Sequence, residues 1–296
     1  MSARDAGGAR ILEGGYRRYD GERSGSAGAI ESVAVHTTQR ALGLRRAARF
    51  KILPILACAL AYVPAIVYAG LAVLIPDELG RNQILPTYAE YYFFITAAIV
   101  VFTAFVAPEV LCTDRRTGML GLYLASPLTR TTYLAAKAAA VLGVLAIVTL
   151  GPPLFLLVAY VLVGSGPDGP ADVALFGLRI LLAGALLSAF FGSLSMAVSS
   201  ITDRKAAASA AIVLLLLLSA AVAGTLVEAA GASHLLMLAD LFGLPFEAVV
   251  RIFGEPSQNP SMDDIASAAV IAAAVGWTLV ASSIVWLRYR ALEVTR

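Results

Sequence analysis

Residues 107–137 read APEVLCTDRRTGMLGLYLASPLTRTTYLAAK, and this stretch joins two long apolar runs through a charged loop. Within the loop, the apolar residues 119–124 lie between the charged residues 114–116 and Arg130. Charged ends around an apolar centre favour a short helix that lies parallel to a membrane surface and is accessible to a partner. Gly118 permits a sharp turn out of the apolar run that precedes the loop. The loop is therefore predicted to be structured.

The whole chain has the composition of a membrane protein. Of its 296 residues, 59% are hydrophobic and only 14% are charged, and the mean hydropathy is +0.81. Soluble domains have about 45–50% apolar and about 25% charged residues, so this chain has too little charge for an ordinary soluble globule. A membrane crossing takes about 20 apolar residues, which allows six or seven helices. The net charge of +2 is too small to indicate a nucleic-acid partner.

Six apolar runs are long enough to cross a membrane. They are 52–75, 91–113, 133–163, 173–201, 206–227 and 266–287. The third run exceeds the hydrocarbon thickness and contains Gly-Pro-Pro at 151–153, which predicts a kink or a break. The fourth run has small residues at intervals of four, Gly184, Ser188 and Gly192, which predict a close-packing stripe on one helix face.

The distribution of positive charge predicts the orientation of the chain. Eighteen of the 22 Lys and Arg residues lie in four segments: 1–51, 114–132, 202–205 and 288–296. The three intervening segments hold two basic residues and eleven acids: 76–90, 164–172 and 228–265. Because Lys and Arg accumulate in cytoplasmic loops, both termini are predicted to be cytoplasmic. The short turn 202–205 is interpreted as a positive cap on a hairpin, with contact to a partner as the alternative.

The segments outside the six runs have distinct characters. Residues 1–28 are polar and glycine-rich, which predicts a disordered cytoplasmic tail, and 291–296 form a second short tail. Residues 29–51 have a weak helical pattern that ends in basic residues, so we expect an amphipathic interfacial helix, with more disordered tail as the alternative. Residues 228–265 are too apolar for a free loop. They predict interfacial or re-entrant helices that dip into the outer leaflet and are broken at 243–245.

Three charged residues lie inside the predicted spans. Glu109 and Lys137 lie at similar depth in the second and third runs, so we expect an intramembrane ion pair. The alternative is that Lys137 snorkels to the inner headgroups and Glu109 is neutral. Arg179 lies on the outer side of the fourth run. It either snorkels toward Asp172 or Glu90, or it lines a translocation path that attracts an anionic headgroup.

The inventory of chemically active residues is small. The chain has two histidines, His36 and His234, and two cysteines inside apolar runs, Cys58 and Cys112. It has no H-E-x-x-H, G-x-S-x-G or C-x-x-C sequence, and none of its three lysines follows a glycine as a P-loop requires. We therefore expect no catalytic, cofactor-binding or metal site. If ATP drives this protein, another polypeptide binds it.

The loop sequence resembles that of permease subunits of type-2 exporter-class ABC transporters, which export drugs, lipids and polysaccharides. The matching order is an acid with basic residues, a glycine and hydrophobic pair, a leucine-rich stretch, Ser-Pro, a basic residue, an aromatic residue and a lysine. In this chain these are Asp114-Arg115-Arg116, Gly118-Met119-Leu120, Leu122-Tyr123-Leu124, Ser126-Pro127, Arg130, Tyr133 and Lys137. Two positions depart from the pattern: Met119 stands where Thr is common, and Ala136 where Gly is usual.

The resemblance implies an all-α membrane protein, with residues 52–290 as the transmembrane permease domain. Six transmembrane helices would have both termini cytoplasmic, a coupling helix after the second span and re-entrant outer helices between the fifth and sixth. The coupling helix would dock on an ABC ATP-binding subunit. The expected contacts are Asp114, Arg115, Arg116, Gly118, Leu120, Leu122 and Arg130.

The same resemblance implies the partners. Two copies of the ATP-binding subunit would hold ATP and magnesium, and a second copy of this permease, or a related permease, would complete the path. The expected cargo is hydrophobic or amphipathic (a drug, lipid or glycolipid), moved across a bacterial plasma membrane. Nineteen arginines against three lysines, with abundant Ala and Gly, indicate a GC-rich genome such as that of an actinobacterium.

Two other functions remain as alternatives. An ion-coupled secondary transporter would need a coupling-ion site near the membrane midplane, and the acid in the second span, Glu109, lies off-centre. An intramembrane enzyme would need an acid–base or nucleophile constellation, which the sequence does not offer.

Overall fold

The computed structural model describes residues 25–44, 46–76, 84–124 and 128–291, and every regular element in these ranges is a helix. The α-helices in chain order are α1 (Gly25–Ala41), α2 (Ile52–Leu74), α3 (Tyr88–Phe94), α4 (Thr96–Ala107), α5 (Thr113–Arg116), α6 (Met119–Leu124), α7 (Arg130–Thr149), α8 (Gly151–Val163), α9 (Gly169–Ile201), α10 (Lys205–Glu228), α11 (Leu244–Phe253) and α12 (Ser267–Ala291). A π-helical turn, Pro108–Cys112, joins α4 to α5. Short 3-10 turns are found at Ala48–Phe50, His234–Ala239 and Pro260–Met262.

Within the described residues, six helical segments are long and apolar enough to cross a membrane, as the sequence predicts. They are Ile52–Leu74, Thr96–Arg116, Arg130–Val163, Gly169–Ile201, Lys205–Glu228 and Ser267–Ala291. The second begins later than expected because α3 is a separate helix, started by a capping box in which Thr87 and Glu90 bond each other's backbone N–H groups. The all-α fold with six spans is thus confirmed, and the orientation in the membrane stays a prediction.

The third span is broken as predicted. Helix α7 ends at Thr149 and α8 starts at Gly151. Pro152 and Pro153 have no N–H to donate to the preceding turn, so the regular helix cannot continue through them. The Tyr62 hydroxyl of α2 donates to the Ile147 carbonyl at 3.1 Å, which supplies an interhelical partner beside the break.

Helix α9 lies at the centre of the bundle, in contact with α12, α7, α8, α10 and α11. At Gly184 a Cβ atom would stand 2.2 Å from Leu150 Cδ2 and 2.9 Å from the Thr149 carbonyl oxygen. The Thr149 hydroxyl also bonds Ser188 Oγ at 2.7 Å. Since lipid is as apolar as a leucine side chain, spans associate through such close packing and hydrogen bonds. The predicted small-residue stripe is confirmed as the face that receives the broken third span.

The N-terminal helix differs from the prediction at both ends. Helix α1 begins at Gly25 and ends at Ala41, ten residues before the expected end at residue 51. The chain turns at Gly43, whose φ of +68° favours glycine and where a Cβ would stand 2.5 Å from the Phe50 carbonyl oxygen. Helix α1 packs on α7. Most of the predicted tail 1–28 and residues 292–296 lie outside the described residues.

The connection between the fifth and sixth spans contains short helices, and α11 begins at Leu244 beside the expected break at 243–245. With ten residues, α11 is about 15 Å long, too short to cross a bilayer. It is buried almost throughout, between α9, α12 and α3. The Asp240 carboxylate accepts the backbone N–H groups of Phe242 and Gly243 at 2.9 and 3.0 Å, which fixes the turn into the helix. The leaflet into which these helices dip stays a prediction.

Candidate functional site

Most of the basic residues that the structure describes lie at the end of the bundle that holds residues 113–124 and 202–205, here called the basic end. Its centre is the π turn of the second span, which contains Glu109 and is followed by Asp114 in α5. In a regular α-helix, residues five apart are rotated by about 500°, which leaves them about 140° apart around the axis. The i to i+5 bonding of a π turn brings such residues closer to alignment. Both acids therefore bond basic residues from the α1–α2 segment.

Asp114 is fully buried and has three side-chain partners. One carboxylate oxygen bonds Lys137 Nζ of α7 at 2.6 Å, and the same oxygen accepts the Tyr133 hydroxyl at 3.0 Å. The other oxygen bonds Arg40 Nη2 of α1 at 2.7 Å. Lys137 is also fully buried and donates to Thr37 Oγ1 at 2.9 Å. These bonds tie α1, the second span and the third span together at one carboxylate.

Glu109 bonds two cations that are more exposed than the partners of Asp114. Its two carboxylate oxygens each lie 2.5 Å from a cation, Arg46 Nη1 and Lys205 Nζ. Arg46 precedes α2 and Lys205 is the first residue of α10, so Glu109 joins the starts of the first and fifth spans. The Arg46 and Lys205 side chains are 31% and 40% exposed, whereas the Arg40 and Lys137 side chains that bond Asp114 are 23% and 0% exposed.

The predicted Glu109–Lys137 pair is therefore wrong. Side chains on an α-helix lean toward its N-terminus, and α7 begins at the basic end. Lys137 consequently reaches toward Asp114, which lies nearer that end than Glu109. The sequence correctly indicated that both charges need partners inside the bundle, but it offered no measure of which acid each cation would reach.

Arg40 was not among the candidate residues, and it has a central position. Besides Asp114, its Nη2 atom donates to the carbonyl oxygens of Val110 (3.2 Å) and Glu109 (3.5 Å) within the π turn. The guanidinium thus compensates carbonyl groups at an irregular point of the helix. A basic residue in the last turn of a helix was the only available signal, and it is typical of many surface helices.

The segment after the second span is structured, as expected, but only part of it faces outward. Asp114 is buried, and Arg115 Nη1 donates to the carbonyl of Ser200 at 2.5 Å, so both contact the chain itself. Arg116, Thr117 and Gly118 are exposed, and Gly118 turns the chain with a φ of +69°.

Helix α6 contacts the start of the third span. The Tyr123 ring lies 5.5 Å from the Tyr133 ring, and burial together with the Asp114 carboxylate raises the pKa of Tyr123. The side chains of Leu120 and Leu122 and the backbone of 125–127 lie outside the described residues. Arg130 is exposed at the start of α7 and donates to the carbonyl of Arg290 at 2.7 Å, so it faces α12.

A cavity of about 80 Å³ opens beside the Glu109 cluster. Arg40, Arg46, Glu109 and Lys205 provide its polar wall, and side chains of α2 and α4 provide its apolar wall. It is too small for a drug or lipid body, whose pockets measure about 300–1,000 Å³.

Arg179 lies at the opposite end of the bundle, with partners that the sequence did not suggest. Its Nη1 atom donates to the Phe253 carbonyl at 2.8 Å, and its guanidinium lies over the Phe176 ring at 5.4 Å. A cation at the C-terminus of α11 interacts favourably with the helix dipole. Arg179 thus contacts the end of a short buried helix rather than Asp172 or Glu90, and its place in a translocation path stays a prediction.

Among the described residues, no group of three or more His, Cys, Asp or Glu side chains is placed to hold a metal ion. His234 lies at the start of a 3-10 turn, with Nδ1 3.4 Å from the Asp264 carboxylate.

Comparison with known proteins identifies the family. The sequence profile of the family described as ABC-2 family transporter proteins matches residues 13–293, which is nearly the whole chain. The chain belongs to the ABC-2 transporter family. No curated protein gives a significant sequence match to it. This ABC-2 protein is accordingly a multi-pass membrane permease, and the similarity of residues 114–137 to exporter permeases agrees with the family.

Proposed function

We propose that this ABC-2 protein is the membrane subunit of an ATP-driven exporter and that a separate ABC ATP-binding subunit docks at its basic end. The observation that carries the proposal is the family match, together with the exposed turn Arg116–Gly118 that directly precedes α6. Two ATP-binding subunits, which hold ATP and magnesium, would serve a pair of permeases formed by two copies of this chain or by this chain and a relative.

The Asp114 network would transmit the movement of the ATP-binding subunits. Closure of the two subunits on ATP would displace α5 and α6, and Asp114 is the buried residue of α5. Because Asp114 is bonded to α1 through Arg40 and to α7 through Lys137, the displacement passes to both helices together. Asp114 and Arg115 would thus act behind the docking surface, and Arg116 with the outer face of α6 would form it.

The proposed cargo is hydrophobic or amphipathic, of the drug, lipid or glycolipid class, moved outward across the bacterial plasma membrane. The apolar composition of the spans supports this class, because a path between such helices offers few polar partners for a hydrophilic solute. No specific observation on the described residues favours the two alternative functions, an ion-coupled secondary transporter and an intramembrane enzyme.

Co-purification tests the docking surface. The tagged permease is expressed with the ATPase encoded by a neighbouring reading frame that contains G-x-x-x-x-G-K-[ST]. Arg116→Glu, and separately the double variant Leu120→Asp with Leu122→Asp, should each abolish recovery of the ATPase. Arg288→Glu is the matched control, because it reverses an exposed charge on α12 outside the docking surface and should leave recovery unchanged. Full recovery with both docking variants would refute the assignment.

A further inference from the structure

A groove lies between α7, α9 and α12 on the side of the bundle, near the basic end. The part farther from the basic end, here called the upper part, has a volume of about 260 Å³. It is walled by small and apolar side chains, among them Ala135, Ala138 and Gly192. Its lower part, about 280 Å³, is lined by residues that include Arg130 and Arg290. The two parts share Leu134 and Trp286, so they form one continuous groove.

We propose that this groove binds one anionic phospholipid of the leaflet at the basic end, with an acyl chain in the upper part and the phosphate at the arginines. The proposal does not rest on the exporter function, since it concerns binding by the permease alone. It assigns Arg130 to a lipid headgroup instead of to the ATP-binding subunit.

The dimensions of the groove fit one leaflet. Leu142 follows Arg130 by twelve positions along α7, and Arg290 follows Thr278 by twelve positions along α12. Each distance corresponds to about 18 Å of helix. Half of a 30 Å hydrocarbon core is about 15 Å, so the groove accommodates the length of one acyl chain with its headgroup at the mouth.

The walls fit a hydrocarbon chain because small side chains create the depth. Ala135 is exposed and Ala138 half-buried on α7, opposite Gly192 on α9, where larger residues would close the space. Trp286, 44% exposed, stands between the apolar part and the mouth. Tryptophan is enriched at the level of lipid headgroups, which is the depth that this arrangement gives it.

The mouth fits a phosphate. The described residues that line it include two arginines, two threonines and no acid. The Arg290 guanidinium lies over the Trp286 ring at 5.2 Å, and Arg130 is held by the carbonyl of Arg290 at 2.7 Å, so both cations stand at the entrance to the apolar part. Basic pockets between transmembrane helices are typical binding sites for anionic headgroups.

Quenching of Trp286 fluorescence by lipids with brominated acyl chains tests the proposal. The purified permease carries Trp277→Phe, so that Trp286 is the single tryptophan, and is reconstituted with brominated phosphatidylglycerol or brominated phosphatidylcholine. Half-maximal quenching should need a mole fraction of phosphatidylglycerol many-fold below that of phosphatidylcholine, since each arginine near a membrane surface contributes about fivefold to the binding of anionic lipid. Arg130→Gln with Arg290→Gln should make the two lipids equivalent, whereas Arg288→Gln, which alters an exposed arginine outside the groove, should preserve the difference.

A filling variant tests the apolar part separately. Ala135→Phe should reduce quenching by both lipids, and Ala139→Phe, an exposed alanine one turn along α7 and outside the groove, should not. Equal quenching by the two lipids in the parent protein would overturn the proposal, as would a preference that survives the double arginine variant. Protection of Trp286 from both lipids would also overturn it and would indicate that protein, such as a second copy of the chain, covers the groove.

Discussion

Two acids in the second span, Glu109 and Asp114, differ in how they are compensated. Asp114 and its partner Lys137 are both fully enclosed, whereas Glu109 bonds cations that remain partly exposed. Removal of one member of a buried ion pair leaves an uncompensated charge, which costs about 3–5 kcal/mol, while exposed pairs contribute about 0–1 kcal/mol. The integrity of the basic end should therefore depend far more on Asp114 than on Glu109.

Asp114→Asn is expected to lower the free energy of unfolding by about 3–5 kcal/mol, because Lys137 would stay buried without a counter-charge. The double variant Asp114→Asn with Lys137→Met should recover a substantial part of this loss. Unfolding of the detergent-purified protein in a denaturant series measures both effects.

Glu109→Gln is the matched comparison, since it makes the same change five residues away in the same helix. Its loss should be clearly smaller, because Lys205 and Arg46 can turn toward solvent. Equal losses for the two single variants would contradict the distinction between the sites.

At the level of single residues, the sequence predicted that charges inside the spans would be paired, and it failed to predict the pairs. The cost of an isolated charge in hydrocarbon depends only on residue type and depth, which a sequence provides. The identity of the partner depends on the lean of side chains on antiparallel helices and on Arg40, whose position follows from the docking of α1. Neither is visible in a linear pattern.

Among the helices, the contact of α9 with the broken third span leaves little room for a larger side chain. Gly184→Ala should destabilise the protein by about 1–3 kcal/mol, because the new methyl group meets Leu150 and the Thr149 carbonyl, and overpacked cores lose about this amount. Gly276→Ala in α12 is the control, since no neighbouring atom lies within 4 Å of the added methyl group. Thermal unfolding in detergent should lower the Tm of the first variant and leave that of the second unchanged or slightly higher.

The turn into α11 gives the stability a dependence on pH. Burial raises the pKa of Asp240, although the N–H groups of Gly243 and Phe242 partly oppose the effect. An acid with a higher pKa in the folded state binds protons more tightly when folded. Stability should therefore fall as pH rises from the unfolded value of about 3.9 through the folded value, and remain low above it.

Asp240→Asn removes this titration and retains an oxygen to accept the two backbone N–H groups. Between about pH 4, the ordinary pKa of an aspartate, and the raised pKa of Asp240 in the folded protein, the Tm of the variant should decline less than that of the parent. Identical Tm profiles for parent and variant would show that Asp240 does not contribute to this dependence.

The sequence predicted the helical elements well where one local property determines them. Apolar length located six spans, Pro152 and Pro153 located the break in the third, and small residues at intervals of four located the packing face of α9. The end of α1 at Ala41 was not predicted, because it follows from the close approach of Gly43 to the Phe50 carbonyl. A contact between residues seven apart in a turn leaves no periodic signal.

For the whole molecule, charge asymmetry predicts that the basic end faces the cytoplasm. Thr117→Cys and Ala230→Cys, both at exposed positions, place single thiols at opposite ends when Cys58 and Cys112 are replaced by Ser and Ala. A membrane-impermeant maleimide should label the residue 230 thiol in intact cells. It should label the residue 117 thiol only in inverted vesicles, and the reverse pattern would contradict the orientation.

The architecture of the whole molecule was more predictable than its energetics. Hydropathy and family resemblance both predict the number and order of the spans. Every backbone polar group in lipid must be satisfied within a helix, so each long apolar run is read as one helical span. The location of the buried network depends on α1, which folds onto the membrane helices from outside the six apolar runs.

The π turn Pro108–Cys112 has a consequence for the comparison of related sequences. A one-residue gap inside a transmembrane helix ordinarily argues against a shared structure, because it rotates every following side chain by about 100°. A π turn contains one residue more than an α turn, so a relative lacking that residue can continue as a regular helix with the later positions in place. An alignment that opens a single gap between 108 and 112 therefore remains compatible with an aspartate at the position of Asp114 beside a lysine at that of Lys137.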